Sequence, residues 1–409
     1  MVRRESRPIE YTGRVGDILS MAGPVGFPRE LLTQPAEDRL AYFNNHTVAH
    51  PLLKEVDQAL MRAILQPTGA SLIFVFGPTG VGKTTLLLHI QKRLAEALQQ
   101  DESEDRGYIP LASVEAVASD SGSFSWKEHY QRALQALSEP LIKNKLDYVA
   151  RSAKRNRNGQ LIFNAKANTS ELRLALEGAL RHRRLKAFII DEAQHLTRMA
   201  SGRRLQDQLD CVKSLANLTG TVHVLVGTYE LLAFRNLSGQ LSRRSADIHL
   251  RRYRADSAAD VKAFQSVLWD FQRHLPLLQE PELLPHWRYC YERTIGCVGV
   301  LKTWLLQSLT EVLETEAPTL TLHHLEKQAL SISRCVSMLT EALQGEEALS
   351  ERRESRENLQ QLLGIEAPVQ LAAKSKAQQP PCSQKPIPHR VGQRHPSRDP
   401  IGTHFHAAP

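Results

Sequence analysis

From Gly77 to Thr84 the chain reads Gly-Pro-Thr-Gly-Val-Gly-Lys-Thr, a spacing that fits GxxxxGK[ST]. Gly77, Gly80 and Gly82 let the backbone turn its N–H groups inward around an anion, with Pro78, Thr79 and Val81 completing the loop. Lys83 then offers a point charge to the β- and γ-phosphates of a nucleoside triphosphate. The Thr84 hydroxyl, with Thr85 behind it, is placed to ligate Mg²⁺. A second cluster, Ala187-Phe-Ile-Ile-Asp191-Glu192, is an apolar run ending in two acids. Asp191 would hold Mg²⁺ through water, and Glu192 would orient and polarise an attacking water. An acidic pair at that place argues for ATP hydrolysis, against a GTPase that would use a Gln elsewhere.

These groups need rigid elements behind them. Residues 71–76, Ser-Leu-Ile-Phe-Val-Phe, read as a buried parallel strand, and the residues from Thr84 to about Gln99 as a helix. Strand, glycine loop and helix thus follow in the order a P-loop fold requires. Further strands are expected at Tyr108–Val114, Ala187–Ile190 and Val222–Val226, with helices around Trp126–Leu137, Thr169–Arg184 and Leu205–Leu218. Their alternation predicts an α/β sheet flanked by helices. The strand at Val222 ends in Gly227-Thr228, where the Thr228 hydroxyl can touch the γ-phosphate or the water, or instead cap the next helix. Arg243 and Arg244 follow, as a surface pair or as an arginine finger reaching a neighbouring subunit's γ-phosphate. After Arg254 the pattern turns helical, with Ser257 and Asp260 resembling a capping box and helices expected at Gly299–Leu313 and Leu322–Leu343. Lys302, near the start of the first of these, is a candidate phosphate-sensing base.

With 409 residues and 42% hydrophobic content, the chain has room for two domains. The expected division is an N-terminal arm over residues 1–45, either extended or a docking segment that orders on a partner, a nucleotide-binding α/β domain over 46–254 and a helical lid over 255–344. A flexible basic tail over 345–409 follows, in which Leu359, Leu362 and Leu363 form a short candidate recognition helix. Five cysteines without a CxxC pair read as reduced thiols. No apolar run reaches membrane-spanning length and no signal segment opens the chain, so a cytoplasmic protein is expected. His46 and His50 form a possible metal pair, weakened by Pro51 and the lack of a third ligand.

Taken together, Gly77–Thr85, the run Ile-Ile-Asp-Glu-Ala-Gln-His ending at His195, the strand ending in Thr228 and the Leu-Ser-Arg-Arg run ending at Arg244 resemble the AAA+ ATPases. Within these the chain is similar to the transposition regulators of the TnsC/TniB family, over roughly residues 40–340. That resemblance implies ATP and Mg²⁺ as cofactors and self-association into rings or helical filaments on double-stranded DNA. It also implies a link between a target selector of the TniQ/TnsD type and transposase subunits, with hydrolysis driving disassembly. Some members belong to CRISPR-associated transposons. The net charge of +8 suits a polyanionic partner if clustered. Lys143, Lys145, Arg151, Lys154, Arg155 and Arg157, against Asp147, form a block able to follow a phosphate backbone, or a solvated loop. Two rivals remain. A replication-initiator-like AAA+ protein should carry a winged helix after the lid, and a signalling ATPase switch would not bind DNA at all.

Overall fold

The computed structural model describes residues 26–98, 107–118, 124–139, 168–197, 202–235, 237, 244–350 and 359–365, with 154–155, 161–162 and 202–204 as backbone only. The chain divides into two compact units at residue 350. In the first, α1 (Ala36–Asn45) and α2 (Pro51–Leu65) lead to β1 (Leu72–Phe76), α3 (Lys83–Ala97), β2 (Leu111–Glu115) and α4 (Trp126–Ala136). A two-residue antiparallel ladder, β3 (Lys154–Arg155) with β4 (Leu161–Ile162), precedes α5 (Thr169–His182), β5 (Ala187–Asp191) and α6 (Gly202–Thr219). Then come β6 (Val222–Gly227), the short α7 (Leu232–Arg235) and β7 (Ser245–His249).

The main sheet has five parallel strands in the order β2-β5-β6-β1-β7. All five residues of β1 are buried, because each face of the strand has its own core. Leu72, Phe74 and Phe76 point into a cluster with Phe188, Leu225 and the apolar stripes of α4, α5 and α6. Ile73 and Val75 point the other way, against Leu60 and Ile64 of α2 and Leu86 and Ile90 of α3. Period-two alternation with both faces covered explains why the strand reads as an unbroken apolar run. The parallel registers bring the carboxyl ends of β1, β5 and β6 to one edge, where ligands bind in open α/β sheets.

Beyond β7, α8 (Ala258–His274), α9 (Trp287–Thr294), α10 (Val298–Glu314), α11 (Leu322–Gln328) and α12 (Ile332–Leu349) form a helical layer around Phe264, Leu301, Trp304 and Leu305. Ser257 caps α8 by accepting from the Asp260 N–H, as its spacing predicts. The single helix expected from Leu322 to Leu343 is instead two: Ala329 is extended, and the Ser331 hydroxyl starts α12 by accepting from Arg334 N–H. The expected extended arm also differs. Residues 36–45 are helical, and Phe43 is wholly buried in the helical core beside Phe271. Residues 1–25 of that arm and 366–409 of the tail lie outside the described residues. In the second unit, residues 359–365 contain a helical turn whose Leu359, Leu362 and Leu363 are exposed. No described helix is long and apolar enough to cross a membrane, and the described cysteines are free thiols.

Two histidines sit between α4 and the sheet. His129 and His223 are both buried, and both ring nitrogens of His129 and Nε2 of His223 lack a partner. Burial pushes each down to about 4, with His223 adding to the effect on His129. In the unfolded chain they titrate near 6.5, so below that pH the unfolded state binds protons that the native state refuses. Their contribution to stability is complete above 6.5 and is lost progressively as pH falls towards 4. Denaturant unfolding at pH 7 and pH 5 should show this loss, and His129→Phe should shrink it by about half. An unchanged pH slope in that variant would place its source elsewhere.

Candidate nucleotide site

The loop after β1 turns through two left-handed glycines, Gly80 (φ 74°) and Gly82 (φ 109°), before α3 begins at Lys83. A side chain at either would strain that backbone. The N-terminus of α3 therefore faces the cavity that the loop encloses, where its free N–H groups and dipole favour an anion. Lys83 is buried, and its Nζ donates to the carbonyls of Gly77 (3.1 Å) and Pro78 (3.0 Å). Burial lowers its pKa, while Glu192 and Asp191 nearby act in the opposite sense. A triphosphate would supply the anionic partner that two carbonyl oxygens do not.

A cavity of about 800 Å³ opens here. It is lined by Pro78, Thr79, Gly80, Gly82, Lys83, Thr84, Thr85, Glu192, Thr228 and Lys302 among the residues singled out from sequence. Gly77, Val81 and Asp191 stand one step behind the wall: Gly77 packs against the Leu250 carbonyl, and Val81 joins the core. Asp191 is raised above the usual carboxylate range, chiefly by burial, and its Oδ1 accepts from the Glu192 N–H at 2.8 Å. The Thr84 hydroxyl and the Asp191 carboxylate are the hard oxygen donors that would hold Mg²⁺. Bound there, the ion would neutralise charge on the phosphates.

Thr228 sits at the end of β6, the strand between those carrying the phosphate loop and the acidic pair. Its Oγ1 is buried without a partner and makes no capping bond to the turn that follows. The hydroxyl therefore makes no cap here, and Thr228 is one of the residues lining the cavity. Gln194 ties the two strands together: its amide donates to the Glu192 carboxylate, and its Oε1 accepts from Thr228 N–H at 3.2 Å. A side chain at Gly227 would run into that same Oε1, so the glycine keeps Gln194 in place. Glu192 itself has positive φ (50°), a strained conformation for a non-glycine residue.

The helical layer closes the cavity. Val300 N–H donates to the Gly80 carbonyl at 3.0 Å, and a Cβ on Gly299 would stand 2.5 Å from that oxygen. Lys302 lines the cavity and donates from Nζ to the Asn44 carbonyl at 2.7 Å, tying α10 to the end of α1. From α12, Glu341, Ala342 and Gly345 complete the wall, with Gly345 lying on the ring of Tyr229. Arg252, buried, anchors α12 through Glu346 at 2.8 Å. Gln194, Arg252 and the α12 residues escape sequence reading because their partners are distant in the chain and follow no period. Gln194 alone had a signal, its place two residues after Glu192.

Arg244 is exposed at the start of β7, at the edge of the sheet opposite the cavity. It takes no part in its own chain's site. Arg243, with Lys143, Lys145, Arg151 and Arg157, lies outside the described residues. Lys154 and Arg155 are described as backbone only, in β3.

Strand order and site together define an AAA+ P-loop fold, with its parallel five-stranded sheet followed by a helical part. Residues 66–234 match the family described as AAA domain, a span that contains the phosphate loop, the acidic pair and Thr228. No curated protein matches the sequence. Among solved structures, the chain is similar to the ORC2 protein of Aeropyrum pernix in its ADPNP-ADP complexes. There the identity is 15%, the coverage 84% of this chain and 81% of that one, and the TM-score 0.46. It is also similar to the Walker-type ATPase of Pyrococcus abyssi, at 16% identity, 75% of each chain and a TM-score of 0.41. The A. pernix ORC1 protein in complex with DNA matches at 14% identity, 71% of this chain and 68% of that one, with a TM-score of 0.48.

Replacing Thr228 by Val separates site from scaffold. Because the hydroxyl has no partner, the variant should be at least as stable as the parent, while ATP turnover falls about a hundredfold. Unfolding and phosphate release measured side by side check this; unchanged turnover would remove Thr228 from the site.

Proposed function

We propose that this chain hydrolyses ATP as a switch for a DNA-bound assembly that regulates transposition. It would link a target-selecting protein of the TniQ/TnsD type to transposase subunits. The observation that carries the hydrolytic part is the meeting of Lys83, Glu192 and an unpartnered Thr228 hydroxyl in one cavity closed by the helical layer. In the step, water attacks the γ-phosphorus in line with the leaving ADP oxygen, and Glu192 takes the proton. Thr228 holds the water or a γ-oxygen, Lys83 offsets charge on the transferring group, and Arg243 or Arg244 comes from the next subunit. Loss of γ-phosphate would be felt at Gly80, whose carbonyl the helical layer grips through Val300. ATP hydrolysis would thereby change the surface offered to partners and release the assembly.

The DNA and transposition parts are supported by the motif resemblance and by the basic block at Lys143–Arg157. The exposed Arg244, away from its own site, suits a finger acting between subunits. The initiator reading shares the AAA+ fold and would add a winged helix. No strand pair of a winged helix follows His249 among the described residues.

Filter binding of duplex DNA with a non-hydrolysable ATP analogue, at 50 and 200 mM salt, tests the proposal. Retention should need nucleotide and fall steeply with salt, by about 10³-fold or more if six phosphates are neutralised. Glu192→Gln should bind ATP normally and stay on DNA after ATP is added. DNA binding without nucleotide dependence, or none at all, would leave the switch that gates protein partners as the better reading. Arg244→Ala should slow turnover on DNA about a thousandfold while the isolated chain binds nucleotide as before. Equal turnover by parent and variant would remove Arg244 as the finger.

A further inference from the structure

Away from the nucleotide cavity, where α1 ends on the flank of α8, lie His46, Asp270 and His274. Each offers one ligand atom, and these atoms all lie within 4.8 Å of one another. Asp270 and His274 are four residues apart on a 17-residue helix, so they share one face and are held rigidly. His46 follows the last residue of α1, and its Nε2 is 2.7 Å from Asp270 Oδ1. The two imidazoles stack at 3.8 Å with 15° between planes, and His274 Nδ1 is 3.4 Å from the same carboxylate oxygen. The third ligand that the sequence lacked for His46 therefore comes from the helical layer. His50 goes elsewhere, accepting from Leu53 N–H as the N-cap of α2 and pairing with the Tyr253 hydroxyl.

We propose that His46, Asp270 and His274 bind one divalent transition-metal ion, with Zn²⁺ the best match. Two imidazoles and one carboxylate, with water in the fourth position, form a three-ligand set of the type tetrahedral zinc accepts. The surroundings support it. His274 Nδ1 lies 2.8 Å from the Asp270 carbonyl, a backbone contact of the kind that orients ligating histidines. Tyr42 stacks beside His46 and Phe271 meets it edge-on, fixing the ring from two sides. All three side chains are only partly covered, which leaves a path for the ion.

The site has a consequence for the nucleotide cavity. Asn44, two residues before His46, accepts from Lys302 and lines that cavity. An ion joining His46 to α8 would clamp the end of α1 against the helical layer and hold the Asn44 carbonyl that positions Lys302. The ion would join two helices and leave phosphate chemistry to the residues around Lys83.

The test uses the full chain, stripped with chelator and titrated with Co²⁺ as a spectroscopic probe, then with Zn²⁺ in competition. The expected result is one tight site per chain with the intense visible absorption of tetrahedral cobalt, displaced by Zn²⁺ and accompanied by a rise in melting temperature. His46→Gln and His274→Gln should each weaken that site at least tenfold and abolish the rise. Asp270→Asn keeps hydrogen-bonding capacity if the histidine variants fold poorly, and should also lose the tetrahedral spectrum. His323→Ala, a change at a histidine outside the cluster, should leave the site intact. The proposal is overturned if cobalt binds only weakly with an octahedral spectrum. It is equally overturned if the tight site survives in all three cluster variants, which would assign it to other histidines.

Discussion

Gly80 donates no side chain, yet its carbonyl is where the two halves of the first unit meet. The oxygen accepts from Val300 N–H, and Gly299 comes so near that a Cβ would collide with it. A phosphate loop must turn through left-handed glycines to surround an anion, and here the same turn exposes a carbonyl to the helical layer. The cavity wall on one side of the loop and the helix contact on the other thus belong to one short stretch of backbone.

Around that seam, the polar groups differ in how far they are paired. Lys83 is held by two carbonyls, and Thr228 Oγ1 has no partner. The Thr228 hydroxyl is the costly one, because a buried polar group without a hydrogen bond forfeits its hydration. Gln194, by contrast, is fully engaged, and it makes the acidic pair and the β6 terminus a single object. The position of the Glu192 carboxylate is consequently set by a residue on the following turn as much as by β5 itself.

Much of the α/β half was legible in the sequence, for a definite reason. β1, β5 and β6 are covered on both faces, so burial forces them to be continuously apolar, and such runs stand out. β7 is different. As an edge strand with mixed exposure, Ser-Ala-Asp-Ile-His carries almost no apolar signal, and the strand was not anticipated. α9, with three aromatics but a helical stretch of only eight residues, was missed for want of a clear period. The join between α11 and α12 was missed because leucines continue on either side of a break made by Ser331. α1 read as an arm because its apolar residues are few, although one of them, Phe43, is wholly buried.

By itself the sequence determined the phosphate loop, the acidic pair and the order of strands and helices around them. These depend on backbone freedom, charge and burial within short segments, and such properties are local. Only the tertiary structure decided that Thr228 has no capping partner and faces the cavity, that Gln194 joins two strands, and that Lys302 answers to Asn44. The same holds for His46, which acquires Asp270 and His274 from a helix more than two hundred residues along the chain. Each of these depends on which surfaces pack together once the sheet and the helical layer have formed, and residue spacing carries no record of that.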